Sequence, residues 1–324
     1  MKIIIPGGSG HVGAVLARAF ERDGHEILIL TRKAETSRWP TVPWDGRTLG
    51  DWVDALDGAD VLVNLAGYTV NCRYNAANRR RIIDSRVDST RVLGEALAQC
   101  NNPPRTWLQS STATIYAHRF DAPNDEATGI IGGREGAPSS WRFSIDVATA
   151  WETTLDEART PKTRKVKLRS AMTMSVDRGG IFDVLLGLTR YGLGGTSGDG
   201  RQYVSWVHHE DFVRAIYWLI EHENIEGPVN VCSPNPLPNA EFMRALQKAW
   251  GTPIGLPATR WMLEVGAVFL RTETELILKS RRVVPGVLLE HGFSFQYPFW
   301  PDAAQSLCEE WRAPRTVASV TQTT

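Results

Sequence analysis

At 324 residues the chain is long enough to bury a sizeable core in one large or two modest domains. Lys plus Arg and Asp plus Glu both number 36, so the net charge is zero, which argues against nucleic acid as a principal ligand because phosphate neutralisation needs a basic surplus. Hydrophobic content of 42% and charged content of 22% are those of an ordinary soluble globule.

The first elements read as strand, glycine turn, helix, strand. Lys2-Ile3-Ile4-Ile5 is the short β-branched run of a buried parallel strand, and Pro6 to Gly13 follows at once. Val12, Val15, Leu16, Ala19 and Phe20 then fall at helical spacing up to Asp23, Gly24 closes the helix, and Glu26 to Leu30 is a second strand. Glycines in such a turn let the backbone approach a pyrophosphate, and the helix beginning near His11 directs free N–H groups and its positive dipole end at the phosphates. Two registers fit, Gly8-x-Gly10-x-x-Gly13 and Gly7-x-x-Gly10-x-x-Gly13. A site for NAD usually carries an acidic residue about 20 residues past the glycines, on the ribose 2′-hydroxyl. Here Thr31-Arg32-Lys33 stands at that point, which suits a 2′-phosphate and predicts NADP(H).

Strands and helices go on alternating, the pattern of a doubly wound α/β sheet. A loop (Ala34 to Leu49) and a short helix (Asp51 to Leu56) lead to a strand, Asp60 to Leu65, that ends in Ala66-Gly67 and leaves room for a cofactor. A long helix from Ala76 to Cys100 carries Arg79, Arg80, Arg81, Arg86 and Arg91, read as a solvated face. The strand Thr106 to Gln109 runs into Ser110-Ser111-Thr112, successive hydroxyls that are costly to bury unless something bonds them. Then come a Gly/Pro-rich loop (Asp121 to Ser140), a helix (Trp141 to Ala158) and a strand (Lys165 to Arg169).

Further on, the sequence predicts a helix over Ile181 to Leu188 and a loop with five glycines between Gly192 and Arg201. A strand follows over Tyr203 to Val207, a helix over His208 to His222, and a strand over Val229 to Cys232. Asn239 is expected to N-cap a helix reaching Trp250, and the polar tail from Ala313 is expected to be disordered. Cys72, Cys100, Cys232 and Cys308 have no CxxC spacing and read as reduced thiols. Glycines interrupt any N-terminal leader, and the longest apolar stretch, Trp261 to Leu270, falls short of the roughly 20 residues a bilayer requires. Adjacent His208 and His209 on a strand would point to opposite faces, so no metal is expected. A cytoplasmic protein is the resulting expectation.

These residues resemble a known group. Gly7-x-x-Gly10-x-x-Gly13, Asn64-Leu65-Ala66-Gly67, Ser110-Ser111-Thr112-x-x-x-Tyr116 and Arg169 are similar to the extended or atypical short-chain dehydrogenase/reductase superfamily, in its NAD-dependent epimerase/dehydratase-like branch. Trp44-Asp45-Gly46, Asp84-Ser85-Arg86, Trp151-Glu152, Ser205-Trp206-Val207-His208 and Gly292-Phe293-x-Phe295-x-Tyr297-Pro298 further resemble nucleoside-diphosphate-sugar epimerase-like proteins with a C-terminal domain of unknown function. The resemblance implies a Rossmann-like doubly wound parallel sheet with a smaller, partly interleaved C-terminal portion on the substrate side. In residues, that is an NADP-binding domain over 1–172 with 203–232 returning to it, a substrate-side portion over 173–202 and 233–312, and a tail over 313–324.

The implied cofactor residues are Gly7, Ser9, Gly10, His11, Val12, Gly13, Thr31, Arg32, Lys33, Leu65, Ala66, Gly67, Ser110, Ser111 and Arg169. Superfamily chemistry uses Tyr-x-x-x-Lys, in which Lys lowers the pKa of the acid Tyr. No Tyr or Lys occurs between Ala117 and Pro161, and with Glu152 marking the register the two positions hold Ser144 and Ala148. Thr112 is left to orient a carbonyl, and Tyr116, Asp146 or water to handle the proton. Arg201 with Trp206 is a candidate substrate-phosphate site or, equally, a loop anchor. Two functions follow: an NADP(H)-dependent oxidoreductase acting on a small carbonyl or hydroxyl compound, or an NADP(H)-binding regulatory or scaffold protein without turnover. Resemblance also implies a homodimer paired through the helices Ala76–Cys100 and Trp141–Ala158.

Overall fold

Lys2–Pro6 forms β1 in the computed structural model, and its isoleucines divide between two cores because side chains alternate along a strand. Ile3 and Ile5 enter the core beneath α1 (His11–Arg22) and α5 (His209–Glu221). Ile4 enters the core beneath α2 (Ala76–Leu97) and α3 (Arg142–Glu157). All three are fully buried, worth roughly 1.5–3 kcal/mol each. The structure describes residues 1–32, 37–133, 138, 141–259, 262 and 274–313.

Six further strands pair around β1: β2 (Glu26–Thr31), β3 (Thr41–Pro43), β4 (Val61–Asn64), β5 (Thr106–Thr112), β6 (Arg164–Ser170) and β10 (Gly227–Val231). The seven-stranded sheet has the order β10-β6-β5-β4-β1-β2-β3, and every pairing is parallel. Strand order reverses between β1 and β4, so the crevice for a ligand opens at their carboxyl ends. With layers of helices on both faces, the architecture is the doubly wound, Rossmann-like α/β fold expected.

Several local readings are corrected. The stretch from Ala34 to Leu49, read as loop, contains the edge strand β3, whose three residues are too short to show alternation. The strand expected over Tyr203 to Val207 is broken at Ser205 into β8 (Tyr203–Val204) and β9 (Trp206–His208). Ser205 Oγ donates to the Arg281 carbonyl at 2.6 Å and accepts from the Val283 N–H at 2.9 Å, which turns the chain there. Neither half joins the main sheet: β8 pairs with β11 (Leu237–Pro238), and β9 with β7 (Met172–Met174). His208 and His209 do not diverge. Their rings stack 4.5 Å apart because they straddle the junction of β9 and α5. Pro238, not Asn239, is the N-cap residue of α6 (Asn239–Trp250), and Asn239 Oδ1 instead accepts from the Ser197 N–H at 2.8 Å.

A third core joins α4 (Ile181–Arg190), α6 and α9 (Trp300–Arg312), with Trp300 stacked on Phe242 at 4.0 Å. Two short helices precede α9, α7 (Glu275–Leu278) and α8 (Gly286–Glu290). Among the described residues no helix is long and apolar enough to cross a membrane. The apolar stretch Trp261–Leu270 lies outside them except for Met262, and so does the tail from residue 314.

A buried ion pair fastens α3 to β6. Arg169 Nε and Nη2 donate to Glu152 Oε1 and Oε2 at 2.8 and 2.7 Å, and Ser111 Oγ donates to the same Oε1 at 2.6 Å. Removing one partner strands a buried charge, so Arg169→Met is expected to lower unfolding free energy by about 3–5 kcal/mol in urea titrations.

Candidate active site

The glycine turn has the geometry that its spacing demands. Gly7 has φ of +74°, and a Cβ there would lie 2.7 Å from the Ala66 backbone. A Cβ on Gly13 would overlap the Gly8 carbonyl oxygen, so helix α1 can approach β1 only with glycine at that position. Around Gly10 the space is open, and a Cβ there would meet nothing nearer than the Gly7 carbonyl oxygen at 3.5 Å. No side chain caps α1 and no acidic residue stands in its first turn, so its leading N–H groups are left for an anion. These features fit a dinucleotide pyrophosphate.

Gly7, Gly10, His11, Val12 and Gly13 form one wall of a cavity of about 530 Å³. Leu65 and Gly67 after β4, Ser110 to Thr112 on β5, and Gly179 to Ile181 at the start of α4 also line it. The His11 ring packs where a Cβ on Gly180 would sit, with Nε2 3.2 Å from Ser175 Oγ, and burial pushes its pKa down. Ser175 donates to Asp177, which also pairs with Arg18 of α1 at 2.6 Å, so the glycine turn is strapped to the loop before α4.

At the end of β2, Thr31 is buried with Oγ1 3.4 Å from Ser9 Oγ, and Arg32 is exposed beside them. Lys33 lies outside the described residues. The Ala66 N–H donates to Asn64 Oδ1 at 3.0 Å, which turns the chain away from β4.

Of the three successive hydroxyls on β5, Ser111 and Thr112 have different uses. Ser111 is committed to Glu152. Thr112 Oγ1 accepts from the Thr114 N–H at 3.2 Å, which leaves its own proton to donate into the cavity. Ser144, at the position of the missing Tyr, lines the same cavity and donates to Glu275 Oε2 at 2.7 Å. Burial raises the pKa of Glu275. Lys279 Nζ lies 3.7 Å from Glu275 Oε1 and donates to the Thr114 carbonyl at 2.7 Å, and Arg281 Nε donates to Thr114 Oγ1 at 3.1 Å. Burial pushes Lys279 down to about 8. The sequence hid this group, because Ser144 and Glu275 lie 131 residues apart.

Other candidates are placed elsewhere. Tyr116 is buried behind β5, donating to Asn230 Oδ1 and accepting from Arg169 Nη1, both at 2.9 Å, and burial raises it to about 12. It does not line the cavity, and neither does Arg169, whose guanidinium is committed to Glu152 and Tyr116. Asp146 is exposed on α3. Trp206 is fully buried against Trp300, and Arg201 is exposed 5.9 Å from the Phe120 ring, so the two form no joint phosphate site. Ala148, at the position of the missing Lys, is fully buried in a small core with Ala113 and Ile115. The arginines of α2 are not one solvated face: Arg86 turns inward and lines the cavity.

Comparison with known proteins agrees with this geometry. Residues 3–134 match the model of the NAD dependent epimerase/dehydratase family, and 258–307 match a domain of unknown function, DUF1731. Epimerase family protein SDR39U1 of Bos taurus is 30% identical over 304 residues, 92% of this chain and 96% of that protein. The chain belongs to the NAD-dependent epimerase/dehydratase family. Another family member, from Mycobacterium bovis, is 31% identical over 91% of this chain and 93% of its own length. The crystal structure of human epimerase family protein SDR39U1 with NADPH superposes with a TM-score of 0.83 at 26% identity, covering 95% of this chain and 99% of that one.

Two variants probe the walls of this family site. Gly13→Ala forces α1 from β1 and is expected to cost on the order of 1–3 kcal/mol in chemical denaturation. Lys279 titrates near 8 in the folded chain against an ordinary 10.5, so between those values the unfolded chain binds more protons and stability rises with pH. Thermal melts across that window should show Lys279→Met losing part of this rise.

Proposed function

We propose that the chain binds NADP(H) and acts as an oxidoreductase on a small carbonyl or hydroxyl compound. The observation that carries this reading is one cavity holding both a dinucleotide cradle and two separately oriented hydroxyls, Thr112 and Ser144. Human SDR39U1, whose structure is described with NADPH, supports the choice of cofactor. Gly7, Gly10 and Gly13 with the leading N–H groups of α1 would hold the pyrophosphate, and Ser9, Thr31 and Arg32 would take the 2′-phosphate. When bound, NADPH supplies a hydride.

The chain's own groups manage the oxygen and the proton. Thr112 Oγ donates to the substrate oxygen and fixes it. Burial raises the pKa of Glu275, and in the step its hydrogen bond with Ser144 would reverse, Glu275 Oε2 giving a proton to Ser144 Oγ while the Ser144 hydroxyl proton passes to the substrate oxygen. Tyr116 and Asp146 have no part in this step. Burial of Ala148 and the committed Tyr116 favour a second reading, an NADP(H)-binding protein without turnover.

Titration with NADPH and NADH, read by tryptophan quenching, tests the cofactor assignment. NADPH is expected to bind at least about tenfold tighter, with Arg32→Ala removing most of that preference. A panel of carbonyl compounds tests turnover, where Thr112→Ala and Ser144→Ala should each lower kcat/KM by about 10²-fold or more with NADPH affinity unchanged. Tight NADPH binding without turnover on any compound would decide for the second reading.

A further inference from the structure

Among the described residues that line the cavity, Arg86 is the one with a formal charge at neutral pH, and no Asp or Glu lines it. Its guanidinium is held in a fixed place. Nη1 donates to the Tyr68 and Ile82 carbonyls at 3.1 and 3.0 Å, and the Trp151 ring lies 4.9 Å from Cζ. Gly67 packs beneath it, where a Cβ would come within 3.1 Å of Cζ. Carbonyls and an aromatic face hold the group without neutralising it, and no carboxylate among the described residues acts on it. Burial lowers it only to about 10, so it stays charged. A confined cation without a counter-charge is costly unless an anion completes it.

Its place indicates which anion. Gly67 follows β4, on the side of the crevice away from β2 and Arg32, so a dinucleotide crossing at the strand-order reversal ends its reacting ring near this wall. We propose that Arg86 anchors an acidic group of the substrate, making the substrate a small carbonyl or hydroxyl compound that carries a carboxylate or phosphate. The anion takes the Nε and Nη2 edge of the guanidinium, a geometry suited to two parallel N–H···O bonds, while the reacting oxygen meets Thr112. This assignment rests on the proposed dinucleotide-and-carbonyl reading of the cavity.

The test is calorimetric titration at constant ionic strength with oxalate and with inorganic phosphate, on the full chain with and without saturating NADPH. Neutral oxamide serves as the uncharged control. In the wild type one of the oxyanions binds and oxamide does not. Arg86→Gln is expected to weaken oxyanion binding by about tenfold or more while changing NADPH affinity less than about twofold. Arg86→Lys, which keeps the charge but not the fork, should fall between, and it serves as the comparison where the Gln variant fails to fold. Equal oxyanion affinity in wild type and variants, or none in the wild type, overturns the proposal. A tenfold loss of NADPH affinity in Arg86→Gln also overturns it, by giving Arg86 to the cofactor phosphates. Should the wild type bind no NADPH, the dinucleotide reading fails separately, and the ligand-free titration still decides for or against an Arg86-dependent anion site.

Discussion

The buried pair of Arg169 and Glu152 is the contact on which the β5–β6–β10 end of the sheet depends. Through it β6 is fastened to α3, through Ser111 to β5, and through Tyr116 and Asn230 to β10. Asn230 carries the chain of contacts outward, donating from Nδ2 to the Val284 carbonyl while its N–H donates to Glu126. Few of these groups can be lost singly, since each partner would be left buried and unsatisfied. The network explains why Tyr116 resembles a catalytic tyrosine in sequence yet sits outside the cavity: its hydroxyl completes the satisfaction of Arg169.

The cavity is built from two kinds of wall. One is local in sequence and made of backbone, the glycine turn with the first turn of α1 and the ends of β4 and β5. The other is made of side chains from distant elements, Ser144 of α3 backed by Glu275 and Lys279. The backbone wall presents N–H groups that suit phosphates of any dinucleotide. Behind the side-chain wall, burial raises the pKa of a carboxyl, Glu275, and lowers that of an amine beside it, Lys279.

That division also decides what could be read from the residues alone. The alternation of Ile3, Ile4 and Ile5 and the spacing of Gly7, Gly10 and Gly13 express constraints local enough to leave a pattern in sequence. Ser205 shows the opposite case: it sits in a run that reads as one strand, and a contact with Arg281 and Val283 breaks it. Asn239 carries the right side chain for a helix cap, but a tertiary donor, the Ser197 N–H, claims it. Arg86 is hidden among neighbouring arginines because nothing in a charged helix marks which residue faces inward. The pairing of Ser144 with Glu275 lies beyond any local rule.

The separation of Ser144 from Glu275 bears on how the molecule is made. During synthesis the strands β1 to β6 and the glycine turn emerge well before α7, so the glycine-turn side of the cavity can order while the partner of Ser144 is still in the ribosome. A chain released early would present the cradle with Ser144 lacking its Glu275 partner. The support behind Ser144 is therefore completed last, by a segment that contributes no strand to the main sheet.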